Sequence, residues 1–265
     1  MTLFFVLVQH LCISLVLTSI TWLIFLKVKN MSIIDITWGL GFFILISYDY
    51  FFLAPMFINN SYDLSFHFPI LIFLVLIWST RLSLFLFITR IRNQHLDARY
   101  ESIKNSWKSK SSVNVLFNYW FQGVLQAILS LAFIPILFSS STNLPLLPIF
   151  ICFIGIIGEA LADYQLLIFK QQDSSELICQ NGLWRFSRHP NYFFDILFWT
   201  GIAYYTYLAT QNIIVFVSPI LLYVIMRFVT GRISERLSLQ KKGDSYKSYQ
   251  KNTFMIFPKL FNRKH

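Results

Sequence analysis

Fourteen residues, Gly182-Leu-Trp-Arg-Phe-Ser-Arg-His-Pro-Asn-Tyr-Phe-Phe-Asp195, gather two arginines, a histidine, an asparagine, a tyrosine and an acid at the start of an apolar run. His189-Pro190-Asn191 reads as a helix start, with proline at the first helical position. Free backbone N–H groups at such a terminus attract phosphate. Arg185 and Arg188 just upstream would add charge-assisted bonds. Asn191 and Asp195 are four residues apart and share a helix face. The chemistry this suggests is the holding of a polar, anionic molecule at the edge of a membrane. The plainer reading is a helix cap flanked by topology-setting cations.

Other ionisable residues fall inside apolar segments, where a charge is costly and so a candidate for function. Arg81 is one, with Trp78 three residues before it on the same face. Arg92 follows Arg81 at close to three helical turns, so a regular helix would point both the same way. Snorkelling to headgroups accounts for Arg90 and Arg92 but is strained for Arg81. Glu159 and Asp163 are four apart, and Lys170 is seven beyond Asp163, which gives one polar face. Acids near a helix C-terminus oppose the macrodipole, so either a salt bridge to Arg185 or Arg188 or a ligand contact must explain them. Arg232, Glu235 and Arg236 form a further polar face. Asp35 and Trp38 open another apolar run, where Asp35 also fits as a first-turn acid.

These residues need helices to carry them. The chain is 265 residues long, 56% hydrophobic and only 13% charged, with a mean hydropathy of +0.58. That composition belongs to a polytopic membrane protein, not to a soluble or nucleic-acid-binding domain. About twenty apolar residues cross a bilayer core. Seven stretches qualify: 3–26, 33–54, 68–89, 113–138, 144–169, 191–209 and 212–230. The sixth is the shortest and most polar. The loops 55–67, 139–145 and 209–212 contain no Lys or Arg. The positive-inside rule then puts the N-terminus outside and the C-terminus in the cytoplasm. The net charge of +10 is therefore one-sided, which suits contact with anionic membrane lipids. The basic, aromatic tail from Gln240 onward is expected to lie on the membrane surface. Cys12, Cys152 and Cys179 show no pairing pattern, and no His/Cys/Asp cluster has metal-ligand spacing.

Several motifs carry a resemblance: Ile34-Asp35-Ile-Thr-Trp38-Gly39, Trp78-Ser-Thr-Arg81, Asp97-Ala-Arg99-Tyr100, Gln122-Gly-x-Leu-Gln126, Gly158-Glu159 through Asp163-Tyr-Gln, the fourteen-residue stretch, and Ser245-Tyr-Lys-Ser-Tyr-Gln250 with Phe257-Pro258. The chain resembles bacterial membrane proteins with a steroid 5-alpha-reductase-like C-terminal domain, in their DUF1295-type branch. The Arg-His-Pro-Asn-Tyr element is also similar to membrane methyltransferases of the isoprenylcysteine type. The resemblance implies an all-α integral membrane fold, a seven-transmembrane-helix bundle. Residues 1–30 would form the first helix and 31–265 the reductase-like domain, together one structural unit.

It further implies that NADPH sits in a cytoplasm-facing cavity and that a lipidic substrate enters from the bilayer. Aligned by motif, Glu159, Asp163, Lys170, Asn191, Asp195, Arg232, Glu235 and Arg236 fall at cofactor positions. Arg185, Arg188, His189, Tyr192, Arg81 and Arg92 are expected to complete them. Asp35, Trp78 and Tyr100 are the catalytic candidates. Steroid reductases carry Gln-x-x-x-Glu in the second span and a tyrosine in the third; here stand Asp35-x-x-x-Gly39 and Trp78. An indole donates a hydrogen bond but cannot relay a proton. Asp35, Tyr48 and Tyr100 remain as proton sources, Asp35 preferred.

The expected activity is NADPH-dependent reduction of a carbon–carbon double bond in a steroid-, polyprenoid- or acyl-like lipid. An S-adenosylmethionine-dependent lipid methyltransferase and a non-catalytic lipid-binding protein on the same scaffold are the alternatives.

Overall fold

A computed structural model describes residues 2–57, 67–93, 96–108, 111–139, 141, 143–171 and 178–259. The loop expected to lack cations at 55–67 and the connector residues Ser109 and Lys110 fall partly or wholly outside these. The regular structure of the described residues is helical, apart from one parallel bridge between Ser187 and Phe254.

In chain order the helices are α1 (Leu3–Val28), α2 (Ile33–Tyr48), α3 (Ala54–Phe57), α4 (His67–Leu86), α5 (Ala98–Ser106), α6 (Ser112–Leu129), α7 (Leu146–Gln171), α8 (Pro190–Thr210), α9 (Val217–Ile225) and α10 (Gly231–Asn252). Among the described residues six helical runs are long and apolar enough to cross a membrane: Leu3–Val28, Ile33–Met56, His67–Arg92, Ser112–Ala132, Leu146–Gln171 and Ile213–Asn252. The chain is thus a multi-pass membrane protein. The expected sixth span is present as α8, which is 21 residues long. Its asparagine, aspartate, threonines and four tyrosines keep it out of that set.

Three π-helical turns interrupt the spans, at Asp49–Leu53, Phe87–Arg92 and Met226–Thr230. A π turn shifts the side-chain register of the helix that holds it. This corrects the shared face expected for Arg81 and Arg92: past the π turn Arg92 is exposed, and Arg90 turns inward instead. The expected span 113–138 also ends its α-helix early, at Leu129, and continues as 3-10 turns through Pro135.

Helices α7 and α8 lie together at unusually short range. A Cβ on Gly155 would stand 2.7 Å from the backbone nitrogen of Phe198, and one on Gly158 would enter the Phe194 ring. Small residues at such a seam let two backbones approach in a bilayer. The core is aromatic: Trp78 stacks on Phe198 at 5.2 Å and meets Trp199 edge-on. At the far end of the bundle His10 is wholly buried between Asp49 and Ser130, 2.8 Å from each. That contact ties α1 to the ends of α2 and α6.

The tail does not form a separate surface segment. α10 kinks at Gly243, whose φ is +53. Beyond the kink Tyr246 and Tyr249 are buried with Ile178, and the chain returns across residues 184–188.

Candidate functional site

The seam between α7 and α8 sets the first part of the site. With Gly155 and Gly158 admitting the partner helix, the acids of α7 come beside the first two turns of α8. Asn191 Nδ2 donates to Asp163 Oδ1 at 3.3 Å. Arg81 arrives from α4, with Nη1 at 2.8 Å from Asp163 Oδ2 and Nη2 against Glu159 Oε2. Trp78 donates its indole N–H to Glu159 at 3.2 Å. Asp195 completes this acidic floor. Its Oδ1 and the Oδ1 of Asn191 are buried without a hydrogen-bond partner. Burial of an unpaired acceptor is costly, so each marks a place for a donor.

The second part centres on Asp35. Tyr100 donates its hydroxyl to Asp35 Oδ1, and Arg90 closes on Asp35 Oδ2. Arg99 lies 3.5 Å from Asp35 and pairs with Asp97 at 2.7 Å, while Arg90 reaches Asp97 at 3.3 Å. Asp97 also caps α5 by accepting from the Arg99 backbone at 2.9 Å. Burial would raise the Asp97 carboxyl, but Arg99 and Arg90 outweigh it and hold it well below the usual carboxylate range. Burial, then the Asp35 carboxylate, push the Tyr100 phenol well above its ordinary value. Tyr100 is therefore firmly protonated.

Both parts face one cavity of about 290 Å³. Its other wall is apolar: Leu82, Phe85 and Leu86 from α4, Phe121 and Leu125 from α6, and Leu222, Ile225, Met226 and Val229 from α9 and its π turn. Phe121 and Val229 are also exposed on the outside of the bundle, so the apolar wall reaches the surface that lipid would cover. A few convergent polar groups in a mostly apolar cleft are the usual form of a small-molecule site.

The third part is the Gly182–Pro190 segment. Gly182 has φ +58, a conformation that favours glycine. Gln165 accepts from Leu183 N at 2.9 Å, and Trp184 donates to Ala162 O at 3.0 Å, which pins the segment to α7. The tail clamps it from the other side. Ser187 Oγ bonds Ile256 O at 2.7 Å, and Arg188 N bonds Phe254 O at 2.9 Å. The Arg188 side chain is fully engaged, by Glu235 at 2.6 Å and by the carbonyls of Gln250 and Thr253. His189 stacks on Tyr192 and stands 3.5 Å from Glu235. Burial lowers the His189 imidazole despite Glu235, so it is neutral at pH 7.

Of the residues singled out in the sequence, Asp35, Tyr100, Glu159, Asp163, Asn191, Tyr192 and Asp195 line the cavity. Trp78 does not; it is wholly buried in the aromatic core behind Glu159. Arg81 pairs with the floor from behind. Arg188, His189 and Glu235 form the strut under the tail. Lys170, Arg92, Arg185, Arg232 and Arg236 are exposed, and Arg236 reaches Ser102 of α5 at 3.0 Å. Tyr48 stacks on Phe52, away from the cavity. Arg90, expected from the sequence to snorkel toward headgroups, holds Asp35 instead. The Asp97-x-Arg99 pattern was the one available signal, because a charge-alternating turn beside a span needs partners.

An all-helical membrane bundle around an amphipathic cavity is the class of protein these features define. The chain belongs to the family described as "Protein of unknown function (DUF1295)", which it matches over residues 21–253. No curated protein and no solved structure matches it.

Proposed function

We propose that the protein is an NADPH-dependent membrane reductase of a carbon–carbon double bond in a lipidic substrate, on a seven-span bundle with α8 as the sixth span, the N-terminus outside and the C-terminus in the cytoplasm. The observation that carries the reading is the cavity itself. It joins an apolar wall open toward lipid, an acceptor floor, and a phenol kept protonated beside an arginine-bound carboxylate. The resemblance of the sequence motifs to steroid 5-alpha-reductase-like membrane proteins is in keeping with the same chemistry.

The residues present fit the cofactor. Asp195 and Asn191 offer buried, unpartnered acceptors for an amide or for ribose hydroxyls. The exposed Arg185, Arg232, Arg236 and Lys170 offer charge for phosphates. NADPH, when bound, supplies the hydride. Tyr100 donates the proton, and Arg99, 5.9 Å from its ring, offsets the negative charge left on oxygen. Asp35, held by Arg90 and Arg99, aims the phenol. The apolar wall orients the alkene-bearing chain and excludes water.

A second reading, S-adenosylmethionine-dependent methyl transfer to a lipid, draws on the same acceptor floor, which suits a sulfonium as well. Equilibrium binding to the purified protein in nanodiscs separates the two. The reductase reading expects NADPH to bind and Asn191→Ala to weaken it by about tenfold or more, the loss of one buried contact. S-adenosylmethionine binding in place of NADPH refutes it.

A further inference from the structure

We infer that the Glu159–Asp163–Asp195 floor makes this site hold the oxidised, positively charged nicotinamide ring more tightly than the reduced, neutral one. The inference rests on the reductase reading and adds a redox preference to it.

Three carboxyl side chains meet at the floor, and among the described residues Arg81 is the one cation paired with them. Glu159 and Asp163 share that guanidinium. Asp195, 8% exposed and lining the cavity, keeps one carboxyl oxygen unpartnered. Asn191 donates its amide to Asp163, which leaves its own oxygen as another unpartnered acceptor. The floor thus has a surplus of acceptors, with three carboxyl groups set against one paired guanidinium.

The arginines deeper in the cavity do not change that balance, because Arg90 and Arg99 are taken up by Asp35 and Asp97. A phosphate on the floor would meet carboxylates with no free cation. The exposed Arg185, Arg232, Arg236 and Lys170 are the groups suited to phosphate, so on the reductase reading the part of the dinucleotide at the floor is the nicotinamide, which carries no phosphate.

In the proposed reaction a C–H bond of the dihydronicotinamide breaks and its electron pair travels with hydrogen to one alkene carbon. The other alkene carbon takes the proton from Tyr100. The alkene is reduced, and the ring passes from neutral to a single positive charge. Carboxyl groups placed beside that ring favour the oxidised state, because the positive ring favours their ionised form and opposite charges attract strongly where water is scarce. Reduced and oxidised cofactor carry the same phosphates and riboses, so a difference in their affinities reports the ring, and its loss in a charge-removing variant reports the ring's charge.

The experiment is a pair of dissociation constants, for NADP+ and for NADPH, measured by equilibrium dialysis on the full-length protein in nanodiscs of neutral lipid. NADP+ is expected to bind about tenfold more tightly or better, which lowers the potential of the bound couple by about 30 mV for each tenfold. Asp195→Asn, of the same shape without the charge, should bring the ratio toward one mainly by weakening NADP+. Asp163→Asn should move it the same way, and serves if Asp195→Asn does not fold. Equal constants in the wild-type protein, or tighter binding of NADPH, overturn the inference while leaving the reductase reading intact. Absence of binding by either dinucleotide overturns both.

Discussion

Arg81 of α4 and Asp163 of α7 are joined at 2.8 Å, and the same guanidinium closes on Glu159 one turn away. One cation thereby ties two spans together and forms the back of the cavity. Removing one member of a buried pair leaves the other charge stranded, at a cost of about 3–5 kcal/mol. Arg81→Gln should accordingly lower the midpoint of thermal unfolding in detergent by many degrees, and Arg81→Lys by less. A variant as stable as the wild type would show that Arg81 merely points at headgroups.

Asp97 gives a pH dependence with a definite sign. Its folded carboxyl lies well below the ordinary range. A depressed carboxyl contributes stability that is fully present above about pH 4 and is lost as pH falls through the folded value. The wild-type protein should exceed Asp97→Asn in stability at pH 7, with the gap narrowing below about pH 4. A gap that is constant with pH would mean that the Arg90–Asp97–Arg99 contacts contribute nothing through charge.

Much of this site was legible from spacing. Glu159 with Asp163, and Asn191 with Asp195, sit four residues apart, and helix geometry alone puts each pair on one face. The acids of α7 were open between Arg185 or Arg188 and a ligand, and they pair with Arg81 instead, because spacing within one helix says nothing about which helix it meets. The π turn at Phe87–Arg92 was not legible, and it exchanged the roles of Arg90 and Arg92. Trp78 stood among the catalytic candidates that the resemblance implies; it is packed against Phe198 and Trp199 in the core instead. The tail read as a membrane anchor from its composition. Only tertiary contacts reveal that Tyr249 bonds Trp184 O and Ser187 O.

Topology follows from whether α8 crosses. With α8 as a span, Asn143, just before α7, and Ser245, beyond the Gly243 kink, face opposite sides. In a background lacking Cys12, Cys152 and Cys179, a membrane-impermeant thiol reagent should label Asn143→Cys from outside intact cells. Ser245→Cys should react only after permeabilisation. Labelling of both from outside would remove the seven-span arrangement.

Hydride transfer itself is the most direct test. The purified protein in nanodiscs is given NADPH deuterated at C4, each face separately, together with lipid extracted from its own host membranes, and the lipids are weighed by mass spectrometry. The account predicts that one face delivers deuterium to a lipid that also gains one solvent hydrogen. Tyr100→Phe should cut that product by about 10²-fold or more, in the range expected for loss of a general acid, while leaving NADPH binding within about twofold, a difference of roughly 0.4 kcal/mol. No deuterium in any lipid from either face, with a labelled methyl group transferred from S-adenosylmethionine instead, would contradict it.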